Sequence, residues 1–427
     1  MLLPSRLLGL VGPAWLLWSV TLSPGEPPIS PNAAPTFSRD VWPILRQHCV
    51  QCHRPGQVAP MSLLTYSEAR PYAKAMREMT VTRRMPPWYA DAPPGRYTND
   101  PRLSDEEIDT IRRWVEAHAP EGEKTLEGTV PAFTQGWSLG PPDLLLEAPE
   151  QVVQPGPDQF RYLSLKYTFS EDTWIRAVEV LPENRKVVHH ANLAVLLPAS
   201  APGERAEKTY VHVAVPGNFA LVTPERTAIR LPKGGQLILE PHYVAGEGAV
   251  REKTRIGLYF ASGRIARERR NLEYQDFDFT IPANDPSHFV RGTRTLTEDV
   301  DVIQVFCHMH LRGKTFSIVA HAPGGREERL LWVPRYNFNW QQTYTFAEPV
   351  RLEAGTQVEY TAEYDNSAGN SAVLTWDSPD REVKWGLRTI DEMMAGSVFY
   401  TSRGPSLDLV VDGKTGHPAR RAQSARP

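Results

Sequence analysis

A chain of 427 residues has room for two or three domains. Its formal net charge of −3 gives no basic excess that would favour nucleic acid, and three cysteines in such a length exclude a disulfide framework. The 39 prolines suit a loop-rich β protein with long connections.

Residues 1–23 read as a secretory signal. Arg6 is a thin n-region, and residues 7–20 are an apolar h-region of the right length. The stretch is short for a membrane span, and an uncleaved anchor is the alternative. No later segment is apolar enough to span. The expectation is an exported protein, periplasmic or extracellular.

The strongest single motif follows. Cys49-Val50-Gln51-Cys52-His53 is C-x-x-C-H, the attachment signature of a covalently bound haem c. Two thiols at this spacing form thioethers with the haem vinyl groups, and the adjacent histidine reaches the iron. A chance C-x-x-C or a redox disulfide is the bland reading. Phe37, Val41, Ile44 and Leu45 recur at helical spacing before the motif. The distal ligand should be a methionine or histidine, with Met76, Met79 and Met85 as candidates. Met85, followed by Pro86-Pro87, resembles the axial Met-Pro element of bacterial class I cytochromes c. A helix should start at Ser104, with Glu107 completing a capping box and Ile108, Ile111, Trp114 and Val115 as its buried stripe. A small all-α cytochrome c domain is expected over 36–122, and a linker over 123–140.

Beyond the linker the pattern turns to β. Leu163, Leu165, Tyr167 and Phe169 alternate with polar residues, as do Val358, Tyr360, Ala362 and Tyr364 later. Short strands with Pro/Gly turns predict antiparallel sandwiches. The run Gln304-Val-Phe-Cys-His-Met-His-Leu-Arg-Gly-Lys314 opens as a buried strand. Residues two apart in a strand share a face, so His308 and His310 can reach one metal ion, while Cys307 and Met309 pack on the other side. Gly313 would supply the bend that follows. A pair of packed strand histidines is an equally good reading of this stretch alone. His189, His190 and His242 end two other apolar runs, and Thr389-Ile-Asp-Glu-Met393-Met394 offers a thioether. Adjacent His189 and His190 could share a metal only if their strand twists or bulges. These residues allow one site of three histidines and another of two histidines with a methionine. Thioether suits Cu(I) and imidazole suits copper in either state; three histidines alone would suit zinc as well. His48, His212, His288, His321 and His417 match no motif.

The ordered set of His-His pair, His-Tyr pair, H-x-H strand and D-E-M turn resembles the copper type II, ascorbate-dependent monooxygenases, over roughly residues 136–409. The resemblance implies two jelly-roll-type lobes, here 141–268 and 269–412, with a disordered tail at 413–427. It implies two copper ions at separated sites: His189, His190 and His242 storing an electron, and His308, His310 and Met393 binding and activating oxygen. Phe306 stands where the peptide-amidating members carry a substrate-binding arginine, and Ser397 where they carry a tyrosine, so a glycine-extended peptide is not expected. The function implied is an exported haem–copper monooxygenase acting on O2 and a small organic substrate. The cytochrome would relay electrons from an external donor, ascorbate-like or a redox protein. The rival is an exported electron-transfer or copper-binding protein without hydroxylation.

Overall fold

The computed structural model of the chain describes residues 34–123, 136–156, 158–197, 208–215, 218–244 and 248–419. The expected signal and most of the expected linker lie outside these residues.

A π-helical turn, Phe37–Val41, runs straight into an α-helix, Trp42–His48. Phe37, Val41, Trp42, Ile44 and Leu45 pack in one small core with Ile111 and Trp114. The latter two come from the helix Asp105–Glu116, which begins at the expected capping box. Ser104 Oγ accepts from the Glu107 N–H at 3.2 Å, and the Glu107 carboxylate accepts from the Ser104 N–H at 2.8 Å. A second box that the sequence reading missed, Thr65 with Glu68, opens the short helix Tyr66–Ala69. His48 is a structural tie: its ring meets the Pro101 carbonyl at 3.0 Å and the Glu107 carboxylate at 3.2 Å.

The rest is mostly β. A nine-stranded sheet runs in the order Leu144–Glu147, Arg255–Phe260, Thr173–Leu181, Thr227–Leu231, Arg267–Asp276, Met394–Ser402, Val300–His308, Thr343–Leu352, with Ala220–Val222 added beside Thr173–Leu181. One half shares a core with a five-stranded sheet built on Gln236–Tyr243, Val188–Leu196 and Lys208–Ala214. The other half shares a core with four strands, His288–Thr295, Gln357–Tyr364, Gly313–His321 and Glu327–Val333. The alternating sequences produce this layering. In Leu163–Thr168 the leucines are buried and Ser164 and Lys166 exposed, and in Gln357–Tyr364 every second residue is buried.

The two sandwiches are not strung end to end. The boundary expected between 268 and 269 falls inside one strand, Arg267–Asp276, which serves both. It pairs in parallel with Thr227–Leu231 through Arg267 opposite Thr227 and Glu268 opposite Ala228, then antiparallel with Met394–Ser402. Ten residues of strand reach far enough to do both. Arg269 closes the seam from within. Buried, it donates to Gln304 Oε1 at 3.1 Å and to the Val211 carbonyl at 3.3 Å, and it stacks 3.9 Å from the Phe399 ring.

Two other expectations are corrected. Residues 88–99, placed in the helical domain, lie on the second sandwich, because their large apolar side chains have a core to enter there. Trp88 packs edge-on to Tyr344 at 5.0 Å, Tyr97 bridges to Phe346, and the Tyr97 hydroxyl donates to the Leu330 carbonyl at 2.7 Å. Residues 413–419, expected in a disordered tail, form a turn locked to the first sandwich. The Trp174 N–H donates to the Gly416 carbonyl at 2.7 Å, and the Ala419 N–H to the Val410 carbonyl at 2.8 Å. Among the described residues no helix is long and apolar enough to cross a membrane.

Because Trp88 is only 8% exposed, Trp88→Ala is expected to cost about 3–5 kcal/mol of stability. Denaturant unfolding measures this cost, and limited proteolysis should cut first within residues 88–99.

Candidate metal centre

His189 and His190 lie on the strand Val188–Leu196, and His242 on its neighbour Gln236–Tyr243. The register between these strands slips at one place. His190 stands opposite His242 and Val188 opposite Tyr243, so His189 is the extra residue of a β-bulge. The bulge turns two consecutive side chains to one side, as a shared site requires. One ligand atom from each of the three histidines lies within 4.8 Å of the others.

His308 ends the strand Val300–His308, and His310 follows two residues on, with ring centroids 5.1 Å apart. Cys307 and Met309 are buried in the core of the second sandwich, as expected. Burial pushes the Cys307 thiol well up. Gly313 is needed for a different reason than a bend at positive φ. A Cβ there would come within 2.6 Å of the Tyr336 ring and 2.9 Å of the Met309 side chain. The Tyr336 hydroxyl donates to the Met309 carbonyl at 2.7 Å and accepts from the Met309 N–H at 2.9 Å. Tyr336 therefore pins the backbone between the two histidines.

The expected gap between the sites is not present. The His190 and His308 rings are 5.7 Å apart, and the five imidazoles form one continuous group. The shared sheet sets the sandwiches side by side with their histidine-bearing strand ends together. Met393 joins His190 and His308 on the wall of a cavity of about 210 Å³. Met394, 1% exposed, lines the same cavity and also packs in the core of the second sandwich.

Second-layer groups orient the rings. The Asp158 carboxylate lies 3.1 Å from His242 Nε2 and accepts from the Thr389 hydroxyl at 2.6 Å. Burial would raise the Asp158 carboxyl, but the His242 and Thr389 hydrogen bonds outweigh it and hold it low. His308 Nδ1 is held by Gln341 Oε1, and His310 Nδ1 lies 3.2 Å from the Asp391 carbonyl. Phe160 stacks on His242 at 4.2 Å. The Glu392 carboxylate accepts the N–H groups of His310, Arg312 and Met393 at 2.8, 2.6 and 3.2 Å. This ties the H-x-H stretch to the D-E-M turn, although burial pushes the Glu392 carboxyl up to about 8. Arg312, fully buried, donates to Asn366, the Ile390 carbonyl and Asp377. Glu392 lies inside the D-E-M turn that the sequence offered only for its thioether, and its role was not read there. Asp158, Phe160, Phe338 and Gln341 carry no local pattern, and the sequence reading missed them.

Burial, then repulsion among the rings, lowers His189 to about 3 and drives His190 and His310 well below the usual imidazole range. Burial likewise lowers His308 to about 4. These four rings, His189, His190, His308 and His310, are thus neutral, the form that binds metal. His189 Nε2, His190 Nε2, His242 Nδ1 and His310 Nε2 are buried with no hydrogen-bond partner. Each such atom costs about 1–3 kcal/mol when left unsatisfied, and a metal ion would satisfy them. The donor set, imidazoles with one thioether beside them, fits copper.

The C-x-x-C-H residues form a helical turn off Trp42–His48. The N–H groups of Cys52 and His53 both donate to the Cys49 carbonyl, at 3.1 and 2.9 Å. Both cysteines are free, and burial raises the Cys49 thiol to about 12. Burial lowers the His53 imidazole, which lies beside the Met61 backbone. This free dithiol turn with a neutral histidine fits thioether attachment of haem. Met76 is buried in the helical core and Met79 is half-buried. Met85 lines a cavity of about 170 Å³ with Arg83, Trp88, Tyr89, Pro334 and Arg335, and His53 is not among its walls.

No family model matches this sequence, and no curated protein matches it. Among solved structures the chain is similar to the major capsid protein P2 of bacteriophage PM2, at 9% identity and a TM-score of 0.23 over 61% of this chain and 99% of that one. It is also similar to a Broad Bean Stain Virus structure, at 6% identity and a TM-score of 0.26 over 65% and 93%. A third likeness is a fucolectin of striped bass, at 10% identity and a TM-score of 0.17 over 60% and 85%.

The Arg312–Asp377 pair predicts an acid limb. Burial would raise the Asp377 carboxyl, but hydrogen bonds from Arg381 and Arg312 hold it at about 2, from an ordinary 3.8. A carboxyl depressed in the fold stabilises above its unfolded value. About 2 kcal/mol should therefore be lost as the pH falls from about 4 to about 2. Unfolding of the metal-free protein across that range tests this, and Asp377→Asn should flatten the limb. The same variant leaves Arg312 buried without its anion, at a cost of about 3–5 kcal/mol.

Proposed function

We propose that this chain is an exported haem–copper monooxygenase of copper type II, ascorbate-dependent character. It inserts one oxygen atom of O2 into a substrate C–H bond while the other becomes water. Besides the two electrons of the C–H bond, the reaction takes two from a donor. The observation that carries the reading is the close group of five imidazoles, two of which, His190 and His308, line a cavity wall with Met393, with four buried ring nitrogens in the group unpartnered. Copper bound there would supply oxygen activation, and haem c at Cys49, Cys52 and His53 would supply one-electron relay.

The ligand sets remain those of the sequence reading: His189, His190 and His242 for one ion, and His308, His310 and Met393 for the other. What changes is their separation. Asp158 and Gln341 hold the His242 and His308 rings from behind, leaving their opposite ring nitrogens for metal. Glu392 and Tyr336 fix the backbone that carries His310 and Met393. The cavity would take a small organic substrate. Phe160, Phe306 and Trp385 give it an apolar wall, and Lys208, Glu240 and Glu273 give it polar groups. Lys208 Nζ and the Tyr210 hydroxyl both donate to Glu240 at 2.9 Å, so that carboxylate is already neutralised. Phe306 shares the wall with His308, where an apolar substrate carbon would lie against it.

Substrate-dependent O2 uptake by the copper- and haem-loaded protein, over a panel of small C–H substrates, tests the reading. Copper and haem without any oxygenated product would favour the electron-transfer alternative. Elemental analysis should give two copper ions beside one iron, with one copper lost in His189→Ala. Met393→Ala should keep most of its copper and lose nearly all product. Met394→Ala should keep turnover per folded molecule but cost about 2–5 kcal/mol of stability, since it empties a core position. The oxidised protein should show a methionine–iron charge-transfer band that Met85→Ala abolishes; its persistence would move the distal ligand to another residue.

A further inference from the structure

One turn meets both ligand sets. It lies between the strands Val383–Lys384 and Met394–Ser402, and it carries Met393 at its end. The turn is tied within itself. The Gly386 N–H donates to the Glu392 carbonyl at 3.1 Å, the Asp391 N–H donates to the Arg388 carbonyl at 2.9 Å, and the Arg388 guanidinium donates to the Asp391 carboxylate at 2.6 and 2.9 Å. A Cβ on Gly386 would collide with that carboxylate, so the packing leaves no slack. Toward the second sandwich, the Asp391 carbonyl lies 3.2 Å from His310 Nδ1, and Glu392 holds the backbone of His310 and Met393. Toward the first sandwich, the turn reaches across with Thr389. Its buried hydroxyl donates to Asp158 Oδ2 at 2.6 Å and lies 3.3 Å from His242 Nε2. Asp158 Oδ2 is itself 3.1 Å from that nitrogen. The segment bearing Asp158 is fixed to the same imidazole, since Phe160 stands opposite His242 in register and stacks on its ring at 4.2 Å. A carboxylate only accepts, so Nε2 carries the proton. His242 Nδ1, buried and unpartnered, is left for an ion.

We propose that Thr389 is a positioning residue that couples the two ligand sets: filling His189, His190 and His242 raises the affinity of His308, His310 and Met393 for a second ion, and the Thr389 hydroxyl carries the coupling. This rests on the copper part of the reading above. Ligation through Nδ1 stills the His242 ring. The ring then holds Asp158 and the Thr389 hydroxyl in place. The turn, rigid within itself, holds the Asp391 carbonyl at His310 and Met393 at the cavity wall. The second set is therefore ordered before its ion arrives, and its ordering cost does not have to be met again. Linkage of this kind is reciprocal, so the second set helps the first by the same factor. Two other routes join the sets: the His190 and His308 rings, 5.7 Å apart, and Phe338, which stacks on His189 and stands 5.7 Å from His310. Both are ring contacts, and neither includes the turn.

The test titrates Cu(I) anaerobically, against a chromophoric chelator, into the full-length protein stripped of copper. Copper–sulfur scattering in X-ray absorption reports filling of the set that holds Met393. The affinity of that set is measured with the three-histidine set intact and with it disabled by His189→Ala. With Thr389 in place, disabling the first set should weaken the second by at least about fivefold, the lower end of ordinary coupling between sites. Thr389→Val keeps the side-chain shape and loses the hydroxyl; in that background His189→Ala should leave the second set unchanged. Thr389→Ser returns the hydroxyl and should restore the dependence. Asp158→Ala, which removes the acceptor of the same hydrogen bond, should abolish it as Thr389→Val does. Thr356→Val deletes another buried hydroxyl, one with no hydrogen-bond partner, and should keep it. A dependence that persists in Thr389→Val and Asp158→Ala shows coupling through the rings and overturns the proposal. Two ions bound independently by the wild type overturn it as well, and either result leaves the copper reading standing. Wild-type protein with no copper on the Met393 set overturns that reading itself.

Discussion

The constraint on which the rest depends is the burial of imidazole nitrogens without hydrogen-bond partners. Ordinary folding avoids such atoms, because each loses its water and gains nothing. Here four occur within one group, and the surrounding architecture is arranged to keep them so. The bulge at His189 brings consecutive residues to one side. Asp158, Gln341 and the Asp391 carbonyl occupy the far ring nitrogens of His242, His308 and His310. Neutrality follows from the same dryness, since a protonated ring would be both desolvated and repelled by its neighbours. His189, His190, His308 and His310 are thus held in the one protonation state that can ligate.

The support beneath it is polar and buried in its own right. Glu392 gathers three backbone N–H groups, and Arg312 reaches from the same turn to Asn366 and Asp377. Such networks are stabilising only when every member is satisfied. Their worth here is positional: they fix the distance between the H-x-H stretch and the D-E-M turn, which lie about eighty residues apart in sequence.

Much of this was legible before any coordinates. Period-2 alternation placed the strands, the capping box placed the helix Asp105–Glu116, and the H-x-H spacing put His308 and His310 together. The His189–His190 pair demanded a bulge, and the register has one. What was not legible depends on how sheets are set against one another. The approach of His190 and His308 depends on how the two sandwiches meet at the seam, through the parallel pairs of Arg267 and Glu268, Arg269 and the Phe306–Phe399 contacts, which leave no mark in local pattern. Phe338 and Gln341 act through tertiary proximity, and in sequence they look like ordinary loop residues. The stretch 88–99 was assigned to the helical domain because it lies between that domain's helices. Its tryptophan and tyrosines find their burial elsewhere.

The turn after Asp412 bears on how the molecule is made. The strand Leu409–Val411 pairs with Gly263–Ile265, and Gly416 returns to bond Trp174 near the start of the first sandwich. The earliest large strand of that sandwich therefore gains its last partner from a segment synthesised some two hundred and forty residues later. Contacts of such separation form late, because the loop entropy must be met first. Closure of this edge of the first sandwich is thus expected late in folding, after the local strand pairs have formed.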